Sequence, residues 1–266
     1  MGFAYGLSLH GQPFQAYSLK TRGMKLSDST AILLGNFISY QIALNVIFGV
    51  FLIAFGKRLA SQIDNFMWLV FISYSINLIV MIFLLLIGLT KWVGNGLVKM
   101  MIGLSRVKFL NKLLEPRIDK FKIYIEETQR DFKELGSNIG LLVVNFILKL
   151  VALMLYYSIP FFIARAIGID LSFKEIFYIM AITSAALTIT IWLPTPGAAG
   201  GVELAFTLLF GSFLVGYEDI EGLTVSAMLL WRLITYYLVI VYGFIMYMLF
   251  ELGTKKLAKA SLELEE

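Results

Sequence analysis

Hydrophobic and polar positions along the chain fall into long blocks rather than a strict alternation. Five apolar runs are long enough to cross a bilayer, and they fall at roughly 30–55, 66–90, 138–163, 173–193 and 223–250. About 20 apolar residues span the hydrocarbon core as a helix, so each of these runs predicts a transmembrane helix.

Two shorter apolar stretches add to this pattern. Residues 201–217 lie between the last two long runs, and residues 3–19 precede the first one. The pattern therefore predicts an all-α polytopic membrane protein with about six to seven transmembrane segments. We assign 1–254 to the integral membrane domain and 255–266 to a cytoplasmic tail.

Composition excludes several classes of protein and of site. Of the 266 residues, 59% are hydrophobic and only 15% are charged, against about 25% charged in a typical soluble domain. The chain has no cysteine and a single histidine, His10. Disulfides, thiol chemistry, His-based metal sites and Ser/His/Asp triads are therefore not expected. We expect no metal, no cofactor, no catalytic residue and no direct binding of nucleic acid.

Basic residues predict the orientation of the helices. The segment 91–137, which we call the linker, carries ten of them: Lys91, Lys99, Arg106, Lys108, Lys112, Arg117, Lys120, Lys122, Arg130 and Lys133. The positive-inside rule places the linker in the cytoplasm. Segments 55–65 and 164–172 are then outside. If 201–217 crosses fully, its acidic loop is outside and the chain ends in the cytoplasm.

Part of the linker, 105–135, is amphipathic, with apolar residues at helical spacing separated by Lys and Arg. Two interpretations stay open. The segment is either a solvated helical hairpin broken at Pro116 or a helix lying on an anionic leaflet.

The stretch WLPTPGAAGGVELAF, residues 192–206, interrupts the apolar pattern. Pro194 and Pro196 remove backbone donors, and Gly197, Gly200 and Gly201 permit tight turns. Unpaired backbone at membrane depth is tolerated only where it is buried in protein or lines a wet cavity. The break therefore predicts a cavity that faces the N-terminus of the next helix, which suits an anionic group.

Three ionisable side chains lie within predicted spans, namely Lys149, Glu203 and Arg232. A charge at a helix centre costs roughly 2.5–3.5 kcal/mol, which makes each a candidate for function. Glu203 and Arg232 either form a structural salt bridge or bind a head group together with Lys149. Gln12, near the first apolar stretch, is a further binding candidate, with a satisfied polar residue as the alternative.

Two distant segments resemble each other. TAILLGNFISYQI (30–42) aligns without a gap on SAMLLWRLITYYL (226–238), with five identities. With the predicted topology, the two helices run in opposite directions, as in the inverted repeats of secondary transporters. The first half has no counterpart of 173–193, so we expect further helices upstream or a truncated chain.

These motifs resemble a known family. Leu193-Pro194-Thr195-Pro196-Gly197, followed by Gly201-x-Glu203, resembles the signature of the integral membrane domain of lysylphosphatidylglycerol synthases. Gly11-Gln12-Pro13-Phe14-Gln15 is similar to that family's first motif. Many members carry a basic residue where this chain has Asn36, which puts charge recognition in the first half in doubt.

The resemblance implies a function. In two-part synthases a cytoplasmic domain transfers lysine from lysyl-tRNA to phosphatidylglycerol. The membrane domain moves the product to the outer leaflet, which gives resistance to cationic antimicrobial peptides. The resemblance carries over Glu203, Arg232 and the Pro194–Gly201 turn. No soluble transferase domain follows the last helix, so lysyl transfer by this chain alone is not expected, although the family label would be phosphatidylglycerol lysyltransferase.

The sequence thus predicts a flippase for an anionic or lysyl-modified phospholipid, such as phosphatidylglycerol or lysyl-phosphatidylglycerol. The second hypothesis is a membrane subunit that docks a separate soluble aminoacyltransferase through the linker. A non-transporting scaffold is the third, and homo-oligomerisation stays open.

Overall fold

A computed structural model of the chain describes residues 19, 24–63, 67–107, 111, 114–191, 193 and 195–249. This part of the chain is helical and contains no strand. Its helices are α1 Leu26–Ile63, α2 Met67–Leu89, α3 Lys91–Ser105, α4 Ile118–Ser137, α5 Ile139–Ala166, α6 Ile176–Thr190, α7 Gly201–Phe213 and α8 Ile220–Arg232. Helix α8 continues through a π-helical turn, Leu233–Tyr237, as far as residue 249.

Among the described residues, five helical segments are long and apolar enough to cross a membrane: Ile32–Gln62, Met67–Leu89, Ile139–Ala166, Phe173–Thr190 and Ile220–Leu249. The prediction of an all-α polytopic membrane protein is therefore confirmed. Helix α7 has 13 residues and is about 20 Å long, which is shorter than a hydrocarbon core of about 30 Å. The predicted stretch 3–19 lies outside the described residues, apart from Leu19.

Helix α6 is the centre of the bundle and packs against α1, α2, α5 and α7. Every residue from Tyr178 to Ala186 is buried. The run Thr183, Ser184, Ala185 and Ala186 is 0% exposed. Small side chains let neighbouring helices approach closely, which allows α6 to be surrounded by other helices.

Helices α6 and α7 form an antiparallel hairpin. The Phe213 ring at the end of α7 lies 5.8 Å from the Tyr178 ring near the start of α6. At the other end, a side chain on Gly201 would lie 3.5 Å from Thr190. The break between the helices is therefore the tip of the hairpin, and α7 returns to the end of the bundle from which α6 starts.

Several contacts define this end of the bundle, which we call the loop end. Arg58 in the last turns of α1 forms an ion pair with Glu175 at 3.0 Å and lies over the Tyr178 ring. The Tyr217 hydroxyl donates a hydrogen bond to the Asp170 carbonyl. Helix α1 thus ends at the loop end and α8 begins there. The two helices run in opposite directions, as an inverted repeat requires.

The linker folds at the opposite end, the linker end. Gln129 of α4 donates hydrogen bonds to the carbonyl groups of Ile87 at 2.7 Å and Thr90 at 2.9 Å, where α2 ends. Phe132 packs against Gly88 of α2 so closely that a Cβ there would clash. Helix α4 also packs against α1 and α3. One face of α4 thus contacts protein, which favours the hairpin over a helix lying on the leaflet.

The entry into α4 follows the proline predicted to break the linker. Pro116 lies in a 3-10 turn, Glu115–Arg117, directly before α4. Proline suits this position because its missing N–H would have no helical partner there.

Gln129→Leu tests the attachment of α4. The leucine has a similar size but cannot donate, so the Ile87 and Thr90 carbonyl oxygens each lose one hydrogen bond. We expect the free energy of unfolding in detergent to fall by about 1–3 kcal/mol. Glu126→Leu, at an exposed position of the same helix, is the control. Equal effects of the two changes would contradict the hydrogen-bonded role of Gln129.

The absence of cysteine makes the orientation testable with single-cysteine variants. Lys120→Cys reports on the linker end and Glu218→Cys on the loop end, and both positions are exposed. We expect an impermeant thiol reagent applied to whole cells to label Glu218→Cys but not Lys120→Cys, because basic segments stay in the cytoplasm. Labelling of both from one side would contradict the arrangement.

Candidate functional site: the broken hairpin and Arg232

The backbone of the break has the left-handed turns that its glycines predict. Gly197 has φ 64° and ψ 22°, and Gly200 has φ 87°. The Ala198 N–H donates to the Thr195 carbonyl at 2.9 Å, and the Thr195 hydroxyl donates to the Ala199 carbonyl at 3.1 Å. Local hydrogen bonds thus satisfy part of the interrupted backbone.

Glu203 lies in the first turn of α7 and uses both carboxylate oxygens. Oε2 accepts a hydrogen bond from the Gly200 N–H at 2.7 Å. Oε1 lies 2.7 Å from Nε of Arg232 on α8. A carboxylate at a helix N-terminus is also stabilised by the helix dipole, so Glu203 both closes the start of α7 and ties it to α8.

Arg232 makes three contacts near the break, two with the break itself and one with Tyr236 on its own helix. Besides the ion pair with Glu203, its Nη2 donates a hydrogen bond to the Gly197 carbonyl at 3.3 Å. Its guanidinium group lies 4.2 Å from the centre of the Tyr236 ring. The Arg232 side chain is only 7% exposed. Its Nε–H is not directed at an acceptor among the described residues, so the Glu203 contact is an ion pair rather than an aligned hydrogen bond.

This cluster lies within the membrane-spanning part of α8. Arg232 is about 18 Å along the helix from Ile220 and about 26 Å from Leu249, at 1.5 Å per residue. The nearby backbone at Gly197, Ala199 and Gly200 is exposed. Exposed irregular backbone at this depth has to meet water in a cavity or another part of a protein.

Tyr156 of α5 was not among the residues that we predicted for the site. It lies beside Arg232 and Thr235 of α8 and beside Tyr40 of α1. It therefore joins the two helices that carry the internal repeat. The sequence contained a signal for this role of Tyr156. Tyrosine prefers the membrane interfaces, whereas Tyr156 stands inside the apolar run 138–163.

The structure brings together most of the predicted site residues. Glu203, Arg232, Gly197 and Gly200 are in direct contact, and Gly201 begins α7 beside them. Lys149 is partly buried on α5, about 10 Å along the helix from Tyr156. Gln12 and Pro194 lie outside the described residues, as does the side chain of Pro196.

The two repeated segments also share a local hydrogen bond. The Ser39 hydroxyl donates to the Gly35 carbonyl at 2.9 Å, and the Thr235 hydroxyl, at the matching position, donates to the Trp231 carbonyl at 2.6 Å. In the same alignment Asn36 corresponds to Arg232, so only the second copy carries the cation.

The family of the chain follows from its sequence. Residues 7–243 match the family model of the lysylphosphatidylglycerol synthase TM region. The chain belongs to this family. No curated protein and no solved structure matches the chain. The family match covers the break, the Glu203–Arg232 pair and both copies of the repeat, so the site belongs to the membrane region of the synthase family.

The variants Gly197→Ala and Gly200→Ala distinguish the cost of backbone strain from the cost of a steric clash with Tyr236. Both positions have a positive φ, which costs an alanine about 1–2 kcal/mol. A Cβ on Gly197 would also overlap the Tyr236 ring, whereas a Cβ on Gly200 meets nothing within 4 Å. We expect the free energy of unfolding in detergent to fall further in Gly197→Ala than in Gly200→Ala. Equal losses would show that Tyr236 does not constrain the turn.

Proposed function

We propose that the protein moves a phospholipid with an anionic or lysyl-modified head group between the leaflets of a bacterial plasma membrane, with the head group held at the hairpin tip. The observation that carries this proposal is the buried Arg232, which lies inside a membrane span beside exposed backbone of the break. An intramembrane cation at a helix break is a recurring feature of transport sites.

Arg232 and α7 together provide donors for a phosphate. A guanidinium group has five N–H groups in a planar fork that matches phosphate oxygens. Among the described residues, one hydrogen bond, from Nη2 to Gly197, uses this fork. The N-terminal N–H groups of α7 have no helical acceptor, and the helix dipole makes this end positive. Both features favour an anion at the tip.

Glu203 gives the site a way to exchange partners. Without a lipid, its carboxylate neutralises Arg232, which removes the cost of an unpaired buried charge. A lipid phosphate that binds Arg232 releases one carboxylate oxygen of Glu203. On a lysyl-modified lipid, the lysyl ammonium group is then a suitable partner for Glu203. The ion pair therefore serves as an internal substitute for a head group that carries both a phosphate and an ammonium group.

The opposed directions of α1 and α8 support movement by alternating exposure. Both helices contact α5 near Tyr156, so a shift of one repeat against the other changes the surroundings of Arg232. Such rocking of two related halves around a fixed site is the mechanism we infer.

Translocation of labelled phosphatidylglycerol and lysyl-phosphatidylglycerol in reconstituted liposomes tests the proposal. We expect Glu203→Gln to slow translocation by about tenfold or more, because glutamine carries no charge to neutralise the buried Arg232 or to bind the lysyl ammonium group, and about 1.4 kcal/mol in the barrier corresponds to tenfold in rate. Glu175→Gln is the matched control, since it removes the partner of Arg58 at the loop end, away from the break. We expect this control to stay within about threefold of the unmodified protein.

Two results would contradict the proposal. The first is unchanged translocation in a well-folded Glu203→Gln protein, which would leave the ion pair a purely structural role. The second is the absence of movement of either lipid by the unmodified protein, with folding checked by thermal unfolding and size exclusion.

Docking of a separate soluble aminoacyltransferase is the second candidate function, and the surface of α3 favours it. Trp92 is 82% exposed and Met100 is 59% exposed. Lys91, Lys99 and Arg106 are exposed as well. Apolar and basic groups side by side suit an acidic protein partner. If this second function is the correct one, the chain will not move lipid in liposomes. A soluble aminoacyltransferase will bind the unmodified chain, and the Trp92→Ala variant will lose this binding.

A further inference from the structure

Helix α8 changes its hydrogen-bond pattern directly after Arg232. Residues Leu233–Tyr237 form a π-helical turn, which we call the π-turn, and the Leu238 N–H donates to the Leu233 carbonyl, five residues back. Turns of this kind are rare, occur mostly as single turns inside α-helices and are frequent at functional sites. Its position next to the buried cation indicates that the π-turn serves the Arg232 site.

The first copy of the internal repeat lacks both features. The residues that align with Leu233–Tyr237 are Phe37–Gln41, and they are α-helical within α1. This copy has Asn36 where the second copy has Arg232. The π-turn and the cation thus occur together in the second copy, which links the shape of the helix to the presence of the charge.

The π-turn changes the direction in which the following side chains leave the helix. An α-helical hydrogen bond spans four residues, whereas a π-helical one spans five. Residues after Arg232 are therefore rotated relative to those before it. Tyr236 belongs to the π-turn, and its ring lies on the same side of α8 as the Arg232 guanidinium group. The π-turn thus places an aromatic ring at the cation.

Tyr236 limits the space in which the Arg232 side chain can move. The Cζ atom of Arg232 lies over the Tyr236 ring, 4.2 Å from its centre. A Cβ on Gly197 would overlap the same ring, and Nη2 of Arg232 donates to the Gly197 carbonyl at 3.3 Å. The ring, the cation and the turn of the break therefore contact one another.

The contact with the ring leaves the hydrogen-bond donors of Arg232 available for oxygen atoms. A cation is attracted to the electron-rich face of an aromatic ring. The N–H groups of a guanidinium lie in its plane and bind oxygen acceptors such as phosphate. An aromatic ring can therefore hold the cation in place without supplying an oxygen that would compete with a ligand.

We propose that Tyr236, placed by the π-turn, is a positioning residue that keeps the Arg232 guanidinium group oriented to bind a head-group phosphate. This inference rests on the proposed function, because it requires that Arg232 binds the phosphate. Without the attraction of the ring, the guanidinium group has more freedom to lose when lipid binds, and the affinity for lipid falls. Tyr236 acts through Arg232 and not through its own contact with the phosphate.

A change in the electrons of the ring that preserves its shape tests this role. Phenylalanine and trifluorophenylalanine have nearly the same size, but fluorine withdraws electrons and weakens the attraction of the ring for a cation. Each replaces Tyr236 in the full chain, with folding checked by thermal unfolding. Translocation of labelled phosphatidylglycerol and lysyl-phosphatidylglycerol in liposomes, at several lipid fractions, gives the half-saturating fraction and the maximal rate.

We expect Tyr236→Phe to retain translocation, since it keeps the ring face. Relative to Tyr236→Phe, trifluorophenylalanine should raise the half-saturating lipid fraction about fivefold. The maximal rate should stay within about twofold, because a loss of binding that affects all bound states alike leaves the rate at saturation unchanged. The same two replacements at Tyr242, which is 58% exposed on α8, are the matched control and should give equal half-saturating fractions.

Three results would overturn the inference. Equal half-saturating fractions with the two rings at position 236 would show that the ring face does not position Arg232. A lower fraction with trifluorophenylalanine would show that Tyr236 competes with the lipid for Arg232. An equal rise at Tyr242 would indicate a general effect of fluorine.

Translocation by the unmodified chain distinguishes these results from a failure of the proposed function. If the unmodified chain moves lipid and the two rings give equal fractions, the role of Tyr236 is wrong and the proposed function stands. If the unmodified chain moves neither lipid, the proposed function fails, and the inference that rests on it fails as well.

Discussion

The contact between Arg232 and the broken hairpin is the interaction on which the arrangement of this membrane region depends. The chain interrupts a helix inside the membrane, where unpaired backbone groups and charges are both costly. Arg232 addresses both costs at once, because it pairs with the Glu203 carboxylate and donates to the Gly197 carbonyl. Tyr236 lies against the guanidinium group and against Gly197, so the turn and the cation hold each other in place. Removal of the Glu203 charge would leave the buried Arg232 without its counter-ion.

The position of α6 explains how the base of the hairpin is fixed within the bundle. Small side chains let α6 pack against four neighbours, and the Arg58–Glu175 pair joins its first turn to α1. The stacked Phe206 and Trp231 rings, 4.5 Å apart, attach α7 to α8 one residue before Arg232. The hairpin is therefore anchored at its base and along its length, while its tip stays exposed. Rigid helices that surround an exposed, irregular turn are a suitable support for binding a head group.

The two ion pairs of the hairpin have different surroundings, and this difference bears on function. Arg58 is 44% exposed and Glu175 is 30% exposed, whereas Arg232 is 7% exposed. Exposed pairs contribute little to stability, and buried charges are retained where specificity or function requires them.

The sequence by itself determined the fold class, because long apolar runs leave a chain little choice but to form membrane helices. It also determined the break and two of its charged residues, since Pro, Gly, Glu203 and Arg232 are anomalous within apolar runs. Only the tertiary structure decided which side chains meet. Tyr156 sits in an ordinary helical position, and its contacts with α1 and α8 depend on how the helices are rotated and paired. Gln129 and Phe132 contact α2, and these contacts favour the hairpin interpretation of the linker. Local pattern sets where a helix forms, whereas contacts between residues distant in the chain follow from packing, which no single segment encodes.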